Sequence, residues 1–548
     1  MQKVLTAEQM RTVDRLTTER YGIPSILLME NAAHAVARVI TDKLGGSVKG
    51  KSILILCGPG NNGGDGAALA RMLSDAGAVV TVEIFGKVIE TDGDARVNFE
   101  KLEEKTKLSF EPRLKLSEVQ PETKNDGVSG WMDNSDYDVV DMIVDALFGT
   151  GLNRKLNGFF DEQIGILNDW KKLYGKPLFV SIDLPSGLNA DIPAFEGKSI
   201  HADVTVTFTS PKPANVLPPA SRSNGQLIVA DIGSPQELID EQSSQLYLTE
   251  IVDAEIWLKM TEFSSGDYKN KRGHTLVIAG SENYSGAVVL CGNAAMRSGV
   301  GLVTVATPLS SKDSVASRIL PEVMVRGVAE TKSGSISVAA FDELADLLGK
   351  ADSVAIGCGI SQDASTKKFV EKVIEHRRQP VIVDADALNL LSPFTVSLLE
   401  KPPKGGTPNL ILTPHEGEFM RLLGTDHKNA LKDRVTAVRN FAVTNNVILV
   451  LKGERVLIGS PDGRVVVNPT GNSGLGKAGN GDTLAGILAG FVAQAVQFEI
   501  DVFETVVAAV YVAGMAGDIA ERKYGKRAMT ASDVRECLTE TFANLAGN

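Results

Sequence analysis

Short apolar segments rich in β-branched residues alternate with amphipathic segments along most of the chain. In the first half, this pattern predicts strands at residues 52–57, 79–85, 139–146, 178–183, 204–209 and 227–232. In the second half, it predicts strands at residues 275–279, 302–307, 353–356, 381–384, 410–413 and 447–452. Strands that alternate with helices form mostly parallel sheets covered by helices on both faces. We therefore expect an α/β protein in which each half has three layers, α/β/α.

A polar stretch at residues 236–245 separates the two series of strands. The chain has 548 residues, which is more than one hydrophobic core usually organises, so two domains are expected. We place them at residues 1–235 and 246–548. The two series share a rhythm but not a sequence, so they are not an internal repeat. Residues 113–138 are polar and rich in turn formers, which indicates an excursion between two strands.

The charge of the chain narrows the range of partners. It carries 56 lysine and arginine residues against 68 aspartate and glutamate residues, a net charge of −12. It therefore lacks the basic surface that non-specific binding of nucleic acid requires, and we expect no nucleic-acid partner.

Cysteine use and the start of the chain indicate a cytoplasmic protein. The four cysteines lie far apart and form neither a zinc-binding pattern nor a disulfide framework, which favours a reducing compartment. Thr6 and Gln9 are spaced as a capping box that opens a helix, which argues against a signal peptide. No apolar run approaches the length that spans a bilayer, so no membrane association is expected.

The first candidate for chemistry is the glycine-rich segment Gly58-Pro-Gly-Asn-Asn-Gly-Gly-Asp-Gly66, between a predicted strand and a helical pattern at 67–76. Backbone N–H groups at the start of a helix can surround a phosphate, and the helix dipole adds attraction. The segment is neither the dinucleotide fingerprint nor a Walker A sequence. Taken alone, it is equally compatible with a tight turn.

Two further polar segments follow predicted strands in this half, at residues 145–152 and 181–187. In an open parallel sheet, ligands bind at the carboxyl ends of the strands, so the three segments are expected to meet at one edge. Together they resemble the NAD(P)H-hydrate epimerase family, over residues 6–232, and imply a Rossmann-like domain. In that family a potassium ion sits in the crevice, and the resemblance assigns its ligands to Asn62, Asp145 and Ser186.

The resemblance also implies which residues bind the hydrated dinucleotide. The residues expected to hold its phosphates are Asn61, Asn62, Gly63, Gly64, Asp65, Gly149, Thr150, Gly151, Leu152, Asn153, Arg154 and Lys155. Asp183 is implied to act catalytically at the damaged ring. One carboxyl group that gives and takes a proton is sufficient for epimerisation. From the residues alone, the preferred interpretation of Asp183 is a capping carboxylate at a strand-to-loop turn.

In the second half, the segment Gly471-Asn-Ser-Gly-Leu-Gly-Lys-Ala-Gly-Asn-Gly-Asp482 leads into an apolar helical pattern at 483–491. Glycine N–H groups at a helix start form an anion site. The pattern resembles the Gly-x-Gly-Asp motif of ribokinase-like kinases, in which the aspartate takes the proton from the attacking hydroxyl. Asp482 is therefore the predicted catalytic base of a ribokinase-like domain.

The segments Thr413-Pro-His-Glu-Gly-Glu418 and Asp384-Ala-Asp-Ala-Leu-Asn389 resemble the NAD(P)H-hydrate dehydratase branch specifically, over residues 248–542. The residues that this implies for the hydrated dinucleotide are Ala287, Gly359, His415 and Asp482. Those that it implies for the adenine nucleotide are Lys452, Gly453, Glu454, Arg455, Val456, Gly479, Asn480 and Gly481. Cys358 stands where that family usually has proline. Asp384 and Asp386 are equally compatible with magnesium binding and with structural hydrogen bonding.

These resemblances imply one bifunctional enzyme that repairs hydrated NADH and NADPH. An isomerase domain interconverts the R and S hydrates, and a lyase domain dehydrates the S hydrate with ADP and Mg²⁺, giving NAD(P)H, AMP and phosphate. Homo-oligomers are common in the family. The alternatives are a kinase for a small hydroxymethyl or sugar substrate, and a non-catalytic ligand-binding module in the N-terminal half.

Overall fold

The structure is a computed structural model that describes residues 1–108, 113–120, 140–194, 196–395 and 410–547. The chain divides into two compact units. The N-terminal unit is Lys3–Ser244, and the C-terminal unit is Gln245–Asn548 together with Met1–Gln2. The polar stretch 236–245 contains a short helix whose Leu238 and Ile239 are buried, so most of it belongs to the N-terminal unit.

The N-terminal unit contains one parallel sheet and flanking helices. After the short strand β1 (Gln2–Lys3), its strands are β2 (Ser52–Cys57), β3 (Val79–Phe85), β4 (Leu114–Val119), β5 (Met142–Ala146), β6 (Leu178–Ile182), β7 (Val204–Phe208) and β8 (Gln226–Ala230). Its helices are α1 (Ala7–Tyr21), α2 (Ser25–Lys43), α3 (Asn61–Asp75), α4 (Gly93–Leu108), α5 (Phe159–Tyr174), α6 (Pro213–Val216) and α7 (Gln236–Asp240).

The strand order of this sheet is β4-β3-β2-β5-β6-β7-β8, and all neighbours are parallel. Alternate strand residues face opposite layers: Ile53 and Ile55 pack towards α2, α3 and α4, whereas Leu54 and Leu56 pack towards α5. This confirms the three layers. After β2, the chain forms β3 and β4 on one side of that strand, and it then forms β5 on the other side. The switch point therefore lies between β2 and β5. Ligands bind at this point in such sheets.

Two local expectations for this unit turn out differently. The excursion predicted at 113–138 begins with β4, which continues the sheet beside β3, and the rest of it lies outside the described residues. The helix expected from residue 67 begins at Asn61, because Gly63 allows its first turn to pack on the preceding loop; an added Cβ would lie 1.8 Å from the Gly58 carbonyl oxygen. The Thr6–Gln9 capping box is present and opens α1.

The C-terminal unit has a larger sheet. Its strands are β9 (Leu246–Leu248), β10 (His274–Ile278), β11 (Leu302–Pro308), β12 (Met324–Val328), β13 (Ser353–Ile356), β14 (Val381–Val383), β15 (Leu410–Leu412), β16 (Ile448–Leu451), β17 (Leu457–Gly459) and β18 (Val465–Val467). Its helices are α8 (Ile251–Met260), α9 (Ser285–Arg297), α10 (Lys312–Ala316), α11 (Ala340–Lys350), α12 (Ala364–Glu375), α13 (Asp386–Leu390), α14 (Glu416–Leu422), α15 (Arg434–Asn445), α16 (Asn480–Gln497), α17 (Val502–Ala528), α18 (Ala531–Glu536) and α19 (Leu538–Leu545).

In this sheet the order is β1-β9-β18-β17-β16-β15-β14-β13-β10-β11-β12, which combines parallel strands with one antiparallel ribbon. Strands β10 to β16 pair in parallel, and β17 pairs antiparallel with both β16 and β18. The switch point lies between β10 and β13, so the segment after β13, which carries Cys358 and Gly359, opens into the crevice.

Helix α16 packs backbone to backbone against α9. An ideal Cβ built on Gly486 would lie 2.1 Å from the carbonyl oxygen of Cys291, and one on Gly490 would lie 1.8 Å from Oγ of Ser298. No side chain larger than hydrogen fits at these distances. Two glycines, four residues apart on one face of α16, therefore set the spacing between the two helices.

Helix α17 bears on the expectation about membrane spans. Of the helices in the described ranges, it is the one long and apolar enough to cross a bilayer, with a mean hydropathy of 1.5 in its best window. The expectation that no apolar run approaches such a length is wrong for this helix. However, 83% of that window is buried, because its Val and Ala residues belong to the core of the C-terminal unit.

Candidate active sites

The N-terminal unit contains a cavity of about 780 Å³ at its switch point. The N-terminal end of α3, the loop after β5, the carboxyl ends of β6 and β7, and part of α1 line this cavity. The predicted residues that line it are Asn61, Asn62, Asp65, Gly149, Thr150, Gly151, Leu152, Asn153, Arg154, Lys155 and Asp183. Gly63 and Gly64 instead pack inside the unit, within α3.

Asn62 and Asp183 both line this cavity and both lie beside Gly149. An ideal Cβ on Gly149 would lie 3.2 Å from Oδ1 of Asn62 and 3.2 Å from Oδ2 of Asp183. Glycine at position 149 therefore lets the loop pass directly beside the two polar side chains. The Nδ2 atom of Asn62 is buried and has no hydrogen-bond partner within the described part of the chain.

Asp183 follows β6 and is held by two side chains from the neighbouring strand end. Lys212 Nζ donates to Asp183 Oδ1 at 2.6 Å, and Thr207 Oγ1 donates to the same oxygen at 3.0 Å. Lys212 is almost completely buried, with 2% of its side chain exposed, and also donates to Thr207 Oγ1 at 2.8 Å. Asp183 adopts a positive φ of 66°, a left-handed conformation that is uncommon outside glycine and often found at functional sites.

Two other carboxyl groups share this environment. Burial raises the pKa of Asp65 well above its usual range, with Asp183 and Asp14 adding to the effect. Burial also raises the pKa of Asp14 to about 6, which Lys212 partly opposes. The negative charge of Asp183 thus raises the pKa of both neighbouring carboxyl groups, Asp14 and Asp65, and Lys212 opposes the rise at each.

Asp145 and Ser186 lie beneath the cavity rather than on its surface. Ser186 donates through Oγ to Asp145 Oδ1 at 2.5 Å and through its backbone N–H to Oδ2 at 2.8 Å, and Ser181 Oγ also donates to Oδ2 at 2.8 Å. Burial raises the pKa of Asp145, and these hydrogen bonds oppose the rise. The two residues are 1% and 0% exposed, so they form a fully buried cluster of hard oxygen donors.

In the C-terminal unit, Asp482 lies in the first turn of α16. The turn begins at Gly479, which has a φ of 90°. Burial raises the pKa of Asp482 to about 6, and a hydrogen bond from Cys358 opposes the rise. Gly481 lies beside a buried ion pair, since its ideal Cβ would be 3.4 Å from both Asp384 Oδ2 and Lys452 Nζ.

That ion pair joins the carboxyl ends of two strands. Lys452, after β16, donates to Asp384 Oδ1 at 2.7 Å, and its Nζ lies 4.0 Å from Oε2 of Glu418. Burial alone would lower the pKa of Lys452, but Asp384 and Glu418 raise it above its ordinary value. The ammonium group is thus held among acidic side chains of the protein itself, beside the start of α16.

The other residues predicted for the nucleotide lie in the segment that follows. Gly453 adopts a φ of 153°, and an added Cβ would be 2.9 Å from Arg434 Nη2. Arg434 also donates to the carbonyl oxygen of Glu454 at 2.9 Å. Arg455 donates to the carbonyl oxygen of Pro469, and the Val456 carbonyl accepts from the backbone of Asn468 at 2.9 Å. Asn480 Nδ2 donates to the carbonyl oxygen of Leu475 at 3.0 Å.

The residues predicted for the hydrated dinucleotide lie on adjoining segments. An ideal Cβ on Gly359 would be 3.0 Å from Cβ of Ala287, so these two meet where α9 passes the loop after β13. His415 caps α14: its Nδ1 accepts from the backbone N–H groups of Gly417 at 3.0 Å and Glu418 at 3.3 Å. Its side chain is 55% exposed, and its Nε2 lies 3.5 Å from Oε1 of Glu418.

The carboxylates of Asp384 and Asp386 have protein partners. Asp384 binds Lys452, and Asp386 Oδ2 accepts from the backbone N–H of Ser361 at 2.9 Å. Within the described ranges, no group of three or more His, Cys, Asp or Glu side chains is placed to hold a metal ion. This geometry favours the structural interpretation of the pair over the magnesium interpretation.

Sequence reasoning missed several of these residues. Lys212 follows a predicted strand, so the rule that ligand sites lie at the carboxyl ends of strands gave a usable signal. Glu418 belongs to the quoted Thr413–Glu418 segment, but its proximity to Lys452 depends on the pairing of distant strands. Asp14 lies on α1, and nothing in its local pattern indicates that this helix borders the crevice.

Comparison with known proteins assigns the chain to a family. The family model described as YjeF-related protein N-terminus matches residues 25–214, and the one described as NAD(P)H-hydrate dehydratase matches residues 275–540. A protein of Moorella thermoacetica named bifunctional NAD(P)H-hydrate repair enzyme Nnr is 37% identical over 544 residues, which cover 99% of this chain and 97% of that protein. This chain belongs to the family of bifunctional NAD(P)H-hydrate repair enzymes.

Other members of the repair-enzyme family match over the same length. The Nnr protein of Thermofilum pendens is 32% identical over 543 residues, covering 99% of this chain and 97% of that protein. Among solved structures, an ADP/ATP-dependent NAD(P)H-hydrate dehydratase from Bacillus subtilis, co-crystallised with ATP and Mg²⁺, is 28% identical. It covers 55% of this chain and 98% of its own, with a TM-score of 0.47. The matched ranges of the two family models fall one in each compact unit.

Proposed function

We propose that this enzyme repairs hydrated NADH and NADPH. The N-terminal unit interconverts the R and S hydrates, and the C-terminal unit dehydrates the S hydrate with ADP, giving NAD(P)H, AMP and phosphate. The observation that carries the proposal is Asp482, a half-buried carboxyl with a pKa of about 6 in the first turn of α16. A base for a hydroxyl group at a helix start is what phosphoryl transfer needs.

The chemistry proposed for the C-terminal unit follows from the poor leaving ability of hydroxide. Hydroxide leaves a carbon slowly, whereas phosphate leaves readily. Asp482 takes the proton of the hydrate's hydroxyl while its oxygen attacks the β-phosphorus of ADP, and the bond to AMP breaks. Backbone N–H groups at the start of α16 stabilise the developing charge. The ring nitrogen's lone pair then expels phosphate, and loss of a ring proton restores the reduced nicotinamide.

Nucleotide binding is assigned to Lys452–Val456, of which Lys452 lies beside Gly481, and to Gly479–Gly481 at the start of α16. Magnesium arrives with the nucleotide phosphates, because this ion is usually bound through one or two carboxylates plus substrate phosphates. Lys452 forms an ion pair with Asp384. We infer that this pair tunes the pKa of Asp482, which Lys452 lowers and Asp384 raises. Ala287, Gly359 and His415 are assigned to the hydrated dinucleotide.

In the N-terminal unit, Asp183 is assigned to the damaged ring, and Asn61, Asn62, Asp65 and the loop Gly149–Lys155 to the rest of the dinucleotide. The hydrate carries a hydroxyl group on a carbon beside the ring nitrogen. Protonation expels that group as water, and water returns to either face of the resulting cation. The site must therefore give one proton to the hydroxyl group and later take one back from the water that adds.

We assign a potassium site to Asn62, Asp145 and Ser186. All three are buried, their oxygens are hard donors, and within the described residues Asp145 has no cationic side chain in ion-pair contact, while burial raises its pKa. A bound cation would supply the charge that this buried carboxylate lacks, and would attract the anionic substrate. Because the four cysteines are all free and buried, we also place the protein in the reducing cytoplasm.

The test is to mix purified protein with both hydrate epimers, Mg²⁺ and K⁺, adding ADP, ATP or no nucleotide. The absorbance of reduced nicotinamide is followed together with AMP, ADP and phosphate. We expect recovery with ADP, with AMP and phosphate as products. If no nucleotide restores the absorbance, the assignment of the C-terminal unit is wrong. A stable phosphorylated product from hydroxymethyl substrates would then favour the kinase alternative.

The potassium site has its own test. Replacing K⁺ by tetramethylammonium, at constant ionic strength, should slow epimerisation while dehydration of purified S hydrate continues in the same sample. The Asp145→Asn variant should lose this cation dependence. Equal epimerisation rates in both salts would refute the assignment of the ion.

A further inference from the structure

Asp14 is a carboxyl group of the N-terminal cavity that none of the assignments above uses. It lies on α1, lines the cavity together with Asp183 and Lys212, and is partly buried. Its Oδ1 atom is buried and has no hydrogen-bond partner in the described part of the chain. An unpaired buried polar atom costs free energy, so its presence in a cavity wall points to a ligand.

Asp14 and Asp183 differ sharply in their surroundings. Asp183 is ion-paired with Lys212 at 2.6 Å and accepts from Thr207 at 3.0 Å. Burial and the negative charge of Asp183 instead favour the protonated form of Asp14, whose pKa is raised to about 6. Two neighbouring carboxyl groups in such different environments usually divide the roles of acid and charged partner.

We propose that Asp14 is the catalytic proton carrier of the epimerase site, whereas the ion-paired Asp183 stabilises the cation. Asp14 gives its proton to the hydroxyl group, the carbon–oxygen bond breaks, and water leaves as the ring nitrogen's lone pair forms the cation. A water then adds to either face and returns one proton to Asp14. No group is oxidised or reduced, and the proton count closes. This inference rests on the proposed epimerase function.

Other charged groups around Asp14 set its titration. Lys212 after β7 lowers its pKa, and Asp183 after β6 raises it. Asp14 in turn raises the pKa of Asp65 on α3. The other charged residues of the cavity wall are Arg11, Asp94, Arg154 and Lys155. Because Asp14 acts as an acid, the epimerisation rate should fall as the pH rises through about 6.

The experiment uses the full-length enzyme and purified R hydrate without nucleotide, and follows the appearance of S hydrate by chromatography over a pH series. Asp14→Asn keeps the shape of the side chain but carries no titratable proton. We expect kcat for epimerisation to fall about 100-fold or more, the usual contribution of general acid–base catalysis, and the pH dependence near 6 to disappear. Glu8→Gln, an exposed substitution on the same helix, should change neither.

The possible outcomes separate the proposal from the function on which it rests. If the unsubstituted enzyme does not interconvert the hydrates, the epimerase function itself fails. If it does, and Asp14→Asn retains its rate and pH profile, only the role of Asp14 is overturned. If Asp14→Asn does not fold, Asp14→Ser, which also lacks a titratable carboxyl group, decides: loss of epimerisation and of the pH dependence near 6 supports the proposal, and a retained rate and pH profile overturns it.

Discussion

Removal of the Lys212 ammonium tests how the N-terminal site is held together. In Lys212→Met the side chain keeps most of its length, but Asp183 loses its partner at 2.6 Å, and the interaction with Thr207 Oγ1 is lost too. Breaking a buried ion pair by removing one partner costs about 3–5 kcal/mol, because the remaining charge is uncompensated. Asp183 is 12% exposed and borders an open cavity, so we expect the lower end, about 3 kcal/mol.

That cost should be visible in the N-terminal unit alone. At about 2–4 °C per kcal/mol for a unit of this size, its unfolding midpoint should fall by about 6–12 °C. Hydrogen exchange of peptides from β6 and β7, followed through a urea series, measures the free energy of unfolding of this unit. Lys198→Met is the matched control, since Lys198 pairs with Asp161 at 3.0 Å on the surface and should cost less than about 1 kcal/mol.

A double substitution shows whether the uncompensated carboxylate is the cause. When Lys212→Met is combined with Asp183→Asn, neither member of the ion pair is charged, so part of the lost stability should return. The reasoning is refuted if Lys212→Met unfolds like the unsubstituted protein, or if the two substitutions destabilise additively. Epimerisation should be lost in Lys212→Met, in Asp183→Asn and in the double variant, while dehydration of S hydrate with ADP persists.

Three more predictions concern single side chains. Asp482→Asn should reduce dehydration by at least about 100-fold without slowing epimerisation, measured on the two purified hydrates. Since Asp482 must be ionised to act as a base, dehydration should decline as the pH falls through about 6. Cys358→Ala removes a hydrogen bond that lowers the pKa of Asp482, so it should move this decline to higher pH. Gly149→Ala should raise KM for epimerisation, because its methyl group would lie 3.2 Å from Asn62 Oδ1 and Asp183 Oδ2; an unchanged KM would contradict this.

The main strands could be predicted from the sequence because parallel strands buried on both faces form continuous apolar runs. The strand at 353–356 has the same bounds in prediction and structure. Strands at the edge of a sheet were missed: β4 reads Leu-Lys-Leu-Ser-Glu-Val and β12 contains arginine and glycine, so neither has such a run. The short ribbon β17–β18 was missed because each strand has only three residues.

Residues of the candidate site could be predicted where they lie in a recognisable motif at the end of a predicted strand. Asn62 and Asp183 lie in segments that carry both a strand end and a motif, and they meet beside Gly149. The partners that tune them could not be found in this way. Lys212 reaches Asp183 across 29 positions in the chain, and Asp14 reaches the cavity from a helix whose packing is decided by the whole unit. Such contacts depend on tertiary structure, which local periodicity does not encode.

The backbone contact between α9 and α16 has a consequence for how substitutions in this protein are interpreted. Gly486 is one turn beyond Asp482 and faces Cys291 rather than the crevice. A side chain at 486 would push the helix away from α9 and carry the base with it, although no substrate atom is touched. Displacements of about 1 Å can cost 100-fold in rate. In a mutational scan of activity, positions 486 and 490 should therefore be as intolerant as Asp482, the proposed catalytic base.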